Sequence, residues 1–363
     1  MPPSQVLPVE AVARLDALVD RIEAEPGSFV DVNEFIELQQ KLDVRAAIKT
    51  LPQGLSEEDF AGILKLALLT ECATETYGDA IGERARRFDA RWLERFNTNV
   101  WVPDELTHHT PYKYILMNLG FSEAELDREI KAAQDAPFEH RGGDLPVQVT
   151  TFGVVQEYLT DNWHGLIAQL LKTASPEASY MATRVKRRET LHTVWYRDMT
   201  ALQIEANPRL LPLVAEALIK FELPGNYVAP EFQKHATRWL PHMGADFDRI
   251  TRDLVRLIYE MAGDTSRAGR LLVDIADQKG FKLGPVSPRT LRTALDRLGG
   301  PGYGLIGEAL LEKMGLAYTF QPRGAGGDAA YSFYRAPFEK IRSLLRTWIA
   351  ERIDIQLATD GSV

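Results

Sequence analysis

TRVKRRETLHTVWYRDM, residues 183–199, carries Glu189 and His192 three positions apart in a segment that reads as helix. That spacing puts both side chains on one helix face. NVWVPDELTHHTPYKYIL, residues 99–116, repeats the offset with Glu105 and His108. Two more helical segments each offer an inward carboxylate, Glu71 in KLALLTECATETYGDAI and Glu157 in FGVVQEYLTDNWHGLIAQLL. Along the chain the order is Glu, Glu-x-x-His, Glu, Glu-x-x-His.

One glutamate from each of two helices, with a Glu-x-x-His from each of two others, is the donor set of ferritin-like di-iron and di-manganese carboxylate bundles. Two ions about 3.5 to 4 Å apart need bridging carboxylates, a neutral imidazole each, and an open position for dioxygen. Two Glu-x-x-His matches alone decide little; the separations decide more. Glu71 and Glu105 lie 34 residues apart and Glu157 and Glu189 lie 32 apart, one long helix plus a short turn, which suits antiparallel neighbours. The 52 residues between Glu105 and Glu157 leave room for a crossover between the two helix pairs. The predicted fold is therefore all-α, a ferritin-like four-helix bundle with extra helices and a mostly helical C-terminal appendage. Residues 1–55 are expected to cover the bundle, 56–243 to form it, and 244–363 to be accessory.

The bulk numbers agree with a soluble metalloprotein. At 363 residues the chain can bury a sizeable core. A net charge of -9 argues against nucleic acid as a general partner. The single cysteine, Cys72, excludes a disulfide framework and fits a reducing compartment. The most apolar run, FAGILKLALL, is short and contains Lys65, so no membrane span is expected. MPPSQVLPVE has no basic-then-apolar pattern, and a cytoplasmic location is expected.

Around the four segments the periodicity predicts helices over 9–25 and 32–51, and Ser56 as the N-cap of the first bundle helix. That helix carries Phe60, Leu64, Ala67, Glu71, Thr74 and Gly78 on one stripe, then a basic row of Arg84, Arg87 and Arg91. Pro103 and Pro111 predict a kink in the second bundle helix. Ser122 opens a surface helix inside the crossover. In the third helix Glu157, Thr160, His164 and Ile167 share a face; in the fourth, Val185, Glu189, His192 and Tyr196 do. Beyond Leu223-Pro224-Gly225 the pattern gives shorter helices, and LAYTF with AYSFYR suits a small β-hairpin around the GAGG string. Phe60, Leu64, Ala67, Trp163, Ile167 and Tyr196 offer apolar surface that suits core packing first and an apolar ligand second.

Over roughly residues 50–230 the chain resembles the soluble acyl-carrier-protein desaturases, on LLTECATETYGDA, PDELTHH, FGVVQEYLT and RRETLH. The resemblance implies two iron ions held by Glu71, Glu105, His108, Glu157, Glu189 and His192, dioxygen as co-substrate, and Thr160 in oxygen handling. It also implies an acyl chain on acyl carrier protein as substrate, a ferredoxin-type electron donor and a homodimer. Arg84, Arg87 and Arg91, or Arg184 to Arg188, are candidates for docking an acidic carrier. The chain departs from the family at Cys72 and Arg188, where acids are usual. The small subunit of class I ribonucleotide reductase has the same ligand order and a radical tyrosine, for which Tyr112, four residues after His108, is the match. Arylamine N-oxygenases, an iron store, and a regulator with a DNA-binding C-terminal region are the weaker alternatives.

Overall fold

The structure, a computed structural model, describes residues 7–25, 31–136, 141–223, 225, 232–280 and 286–316. Every regular element among the described residues is helical, as predicted, and no strand occurs among them. The hairpin segments LAYTF and AYSFYR, apart from Leu316, and the GAGG string lie outside the described residues. The chain divides into two compact units, residues 1–196 with 221–246 and residues 197–220 with 247–363.

In the first unit α1 (Val9–Glu23) covers α6 (Arg91–Phe96), fixed by Arg95, whose guanidinium binds Asp20 and Glu23 at 2.7 and 2.5 Å. The predicted helix over 32–51 is two, α2 (Val32–Gln39) and α3 (Val44–Ile48). Asn118 ties the break to the bundle: its side chain accepts from Val44 N–H and donates to the Leu42 carbonyl, at 2.8 and 3.0 Å.

The bundle consists of α4 (Glu57–Cys72), α7 (Val102–Leu119), α9 (Pro146–Leu171) and α10 (Pro176–Ala206). Ser56 caps α4 in a reciprocal box with Asp59, satisfying donors that the first turn leaves unpaired. Asp59 also accepts from the Trp239 indole at 2.9 Å, docking α12 (Phe232–His242) against α4. The stripe of α4 is inward as expected: Phe60, Leu64, Ala67 and Glu71 are all buried. This helix does not run on to the basic row. It stops one residue after Glu71, where Thr74 donates its hydroxyl to the Glu71 carbonyl at 2.8 Å, and α5 (Thr74–Arg87) starts afresh. Arg91 falls on α6, so the three arginines do not form one row.

The second bundle helix is distorted, though not where its prolines suggest. Pro103 sits in the first turn of α7 and Pro111 lies within it. The irregularity is the π-helical turn Asn97–Trp101 just before, where Val102 N–H reaches back five residues to the Asn97 carbonyl. Proline cannot donate, so Pro103 removes one ordinary helical bond at this point and eases the wider turn. Gly120, at φ 119°, closes α7 with its N–H on the Leu116 and Met117 carbonyls, a conformation open to glycine at little cost. The crossover carries α8 (Glu123–Gln134), opened by Ser122 as predicted.

In the second unit α14 (Thr265–Lys279) packs on α11 (Leu211–Ile219), α13 (Phe247–Ala262), α15 (Pro288–Leu298) and α16 (Gly300–Lys313). Residues 240–246 hold the end of α12 and a turn at Gly244. The crossing of α14 and α16 is glycine-on-glycine: a Cβ on Gly307 would lie 2.0 Å from the Thr265 carbonyl oxygen, and one on Gly269 would lie 2.2 Å from that of Tyr303. Backbone cannot yield as a side chain does. Gly307→Ala should lower stability by about 1–3 kcal/mol in urea unfolding of the full chain. Gly304→Ala, on the same helix with its nearest neighbour at 3.5 Å, should be neutral or stabilising by up to about 1 kcal/mol.

Candidate metal centre

Four helices bring the six expected ligands together in the interior of the first unit. Glu71 comes from the last turn of α4, Glu105 and His108 from α7, Glu157 from α9, and Glu189 and His192 from α10. None of the six is more than 5 % exposed. Their donor atoms form two groups, Glu71, Glu105, His108 and Glu189, and Glu105, Glu157, Glu189 and His192, with the donor atoms of each group within 4.8 Å of one another. Glu105 and Glu189 belong to both groups, so each can bridge.

The imidazoles aim Nδ1 into the centre. His108 Nδ1 lies 2.7 Å from Glu189 Oε1 and 3.7 Å from Glu71 Oε2. His192 Nδ1 lies 2.7 Å from Glu105 Oε1 and 3.6 Å from Glu157 Oε2. The rings are nearly parallel, with centroids 5.7 Å apart.

This clustering is costly without cations. Burial first, then the Glu105 and Glu189 charges, pushes the Glu157 carboxyl well above the usual range. Burial and Glu189 likewise raise Glu105. Burial opposes protonation of both imidazoles, but the carboxylates around His108 and His192 raise them well above the usual histidine range. Protons thus hold the cluster together, and metal ions do the same work with directed bonds. Charge and donor chemistry both fit. Two dications balance the four glutamates, while the buried Asp104 is balanced by the buried Arg188. Among the buried atoms without a hydrogen-bond partner are His108 Nδ1, His192 Nδ1, Glu105 Oε1 and Glu189 Oε1, the atoms such ions would take.

Further residues surround the ligands: Thr160, His164 and Tyr112 were read from the pattern, whereas Asp104, Trp101 and Gln156 were not. Asp104 Oδ2 accepts from His192 Nε2 at 2.8 Å and from Arg188 Nε at 2.6 Å. Burial would raise this carboxyl, but the neighbouring His108 and His192 hold it well below its ordinary value. Trp101 and Gln156 donate to Glu157 Oε1 at 3.1 and 3.2 Å. His164 Nε2 lies 3.0 Å from Glu71 Oε1, and its Nδ1 lies 2.5 Å from the Tyr112 hydroxyl. The Thr160 hydroxyl, within reach of two carbonyls of its own helix, lies 2.8 Å from Glu189 Oε2. Asp104 had one signal in the sequence, an acid beside Glu105 and four residues before His108.

A cleft of about 550 Å³, its open mouth included, leads to the centre past Thr70, Ala73, Thr74, Thr76, Tyr77 and Ala136. None of the six apolar residues considered for an apolar ligand lines it. Phe60, Leu64, Ala67 and Ile167 belong to the packed core with Trp163 against them, and Tyr196 packs edge-on to Phe96. Cys72 is buried, and burial followed by the Glu71 charge pushes its thiol up to about 12, so it is an inert core residue. Arg188 is no docking residue, being buried against Asp104, and Arg84 is turned onto Gly143 and Asp144.

No family model matches the chain, and no curated protein matches it.

The shared and unshared carboxylates should behave differently. Glu105→Ala or Glu189→Ala removes a residue common to both groups and should take bound metal from two ions per chain to near none. Glu71→Ala or Glu157→Ala should leave about one. Elemental analysis of the purified variants reads the difference directly.

Proposed function

We propose that the protein is a di-iron, dioxygen-dependent oxidase acting on unactivated C–H bonds, and that its substrate is an acyl chain on acyl carrier protein, which it desaturates. The observation that supports this most is the convergence of Glu71, Glu105, His108, Glu157, Glu189 and His192 as two overlapping donor groups. Adjacent methylenes have no acidic proton, so general acid and base groups cannot remove their hydrogens. A bound redox-active metal pair supplies the activation of dioxygen.

The chain's own residues hold and orient. Glu105 and Glu189, common to both donor groups, would hold both ions, Glu71 and Glu157 would each hold one, and Asp104 fixes the His192 ring through Nε2. Thr160 places a hydroxyl on Glu189 Oε2 at the inner end of the cleft, where it can pass a proton between that carboxylate and the reacting molecule. Buried Trp101 and Tyr77, stacked edge to face at 5.1 Å, wall the cleft and exclude water. Exposed Arg87 and Arg91, beside the α5–α6 corner, and exposed Arg187 with half-buried Arg184 on α10 are the remaining candidates for docking an acidic carrier.

Metal analysis should find two irons per chain. After aerobic reduction with a ferredoxin system, mass spectrometry of acyl carriers should show loss of two hydrogens. Carriers of every chain length left unchanged by iron-loaded protein would refute the substrate assignment. Thr160→Val should retain both metals and lower turnover; unchanged turnover would remove Thr160 from the chemistry.

One observation favours a second reading, a radical protein like the ribonucleotide reductase small subunit. Tyr112 is fully buried, and its hydroxyl connects through His164 to the ligand Glu71. Exposure of the iron-loaded protein to dioxygen would then give a tyrosyl radical signal in electron paramagnetic resonance, lost in Tyr112→Phe. A silent spectrum sinks that reading.

A further inference from the structure

The two ends of the centre are supported unequally. At the end formed by Glu157 and His192 each ligand has its non-coordinating atom occupied. Glu157 Oε1 accepts from the Trp101 indole and the Gln156 amide, at 3.1 and 3.2 Å, and His192 Nε2 donates to Asp104 Oδ2 at 2.8 Å. Asp104 is itself locked, because Arg188 Nε donates to the same oxygen at 2.6 Å while its guanidinium rests over the Trp195 ring. At the other end Glu71 has a single partner, His164. His108 Nε2 lies 3.8 Å from Asp104 Oδ2, beyond hydrogen-bond distance, and has no other partner among the described residues.

A ligating imidazole whose second nitrogen donates to a carboxylate is fixed in tautomer and ring orientation and is a stronger base; losing such a partner typically costs 10- to 100-fold in metal affinity. His192 has this support and His108 lacks it. The carboxylate ends differ in the same direction, since Glu157 is held by two neutral donors that leave its other oxygen free to coordinate. Arg188 binds the acid on which the histidine asymmetry turns. It occupies the position before Glu189, as Asp104 occupies the position before Glu105, so the site has one buried acid beside the histidines and one buried cation that binds it.

We infer that the two metal positions are inequivalent: the Glu157–His192 position binds its ion more tightly and fills first, with Asp104 and Arg188 as its positioning residues. This rests on the two-metal reading above and adds an order to it.

Anaerobic titration of the full-length apoprotein with Co2+, followed by visible absorption and calorimetry, tests it. The wild-type chain should bind in two steps separated by at least about 10-fold in affinity. Glu71→Ala should abolish the weaker step and spare the tighter, and Glu157→Ala the reverse. Asp104→Asn should weaken the tighter step by about 10- to 100-fold and leave the weaker one within a few-fold, a split that a general loss of structure would not give. Arg188→Gln should weaken the same step by less, and Arg188→Lys should restore it. Should Asp104→Asn fail to fold, Trp101→Phe keeps an aromatic ring while removing a donor to Glu157, and it too should weaken only the tighter step. Two equal steps, or loss of the tighter step in Glu71→Ala, would overturn the inference while the two-metal reading stands. No Co2+ bound by the wild-type chain would overturn both.

Discussion

Four carboxylates and two imidazoles closed into one protein interior are the constraint on which the first unit depends. An isolated buried carboxylate is driven to neutrality by the loss of its hydration, and four together repel as well. Only positive charge placed among them makes the arrangement stable, and no lysine or arginine among the described residues reaches between the ligands. The Asp104–Arg188 pair adds no net charge, so the balance has to come from protons or from metal ions. The surrounding hydrogen bonds suit metal ions. Glu157 and Glu71 each turn one oxygen to a donor on the protein, and His192 turns Nε2 outward to Asp104, leaving the opposite atoms facing a common centre.

The backbone serves the same end. The bundle helices carry ligands close to places where regular geometry fails. Glu71 is one residue from the end of α4, and Glu105 follows the π-helical turn at Asn97–Trp101 by four positions. A break after Glu71 lets the chain pass from α4 to α5 around the cleft, so that Ala73, Thr74 and Tyr77 become its wall. The π-turn places Trp101 on Glu157 while keeping Glu105 and His108 on the inner face of α7. Helix propensity was given up locally, and packing of the long apolar stripes holds the bundle together regardless.

How much of this the sequence disclosed follows from the range of each interaction. Glu189 with His192, and Glu105 with His108, are local pairs fixed by helical geometry, so they were legible once a helix was assumed, as was the inward stripe from Phe60 to Thr74. Asp104, Arg188, Trp101 and His164 act across helices: Arg188 meets a partner 84 residues away, and Trp101 one 56 away. No spacing within one segment encodes such a contact. Periodicity also misdirects where two inward environments exist. It marks Leu64 and Ile167 as buried but cannot distinguish core from cleft, and the cleft wall mixes Thr70, Thr74 and Thr76 with Ala73, Ala136, Tyr77 and Trp101. The two broken helices were missed for a related reason, since Asn118 and Thr74 break them through side-chain bonds to the backbone and not through glycine or proline.

The cleft gives the centre a direction. It touches all four ligand glutamates, Glu71, Glu105, Glu157 and Glu189, and neither ligand histidine. The histidines face the opposite side, where His108 and His192 are fully buried and Asp104, Arg188 and Trp195 seal them from water. Carboxylates can change between one and two coordinating oxygens with little movement, whereas an imidazole offers one nitrogen along one line. With ions bound, a centre open on its carboxylate side would admit a small molecule by a shift of Glu71 or Glu157, while the histidine side held the ions. At Thr160 a side-chain hydroxyl, the shared carboxylate Glu189 and the cleft coincide.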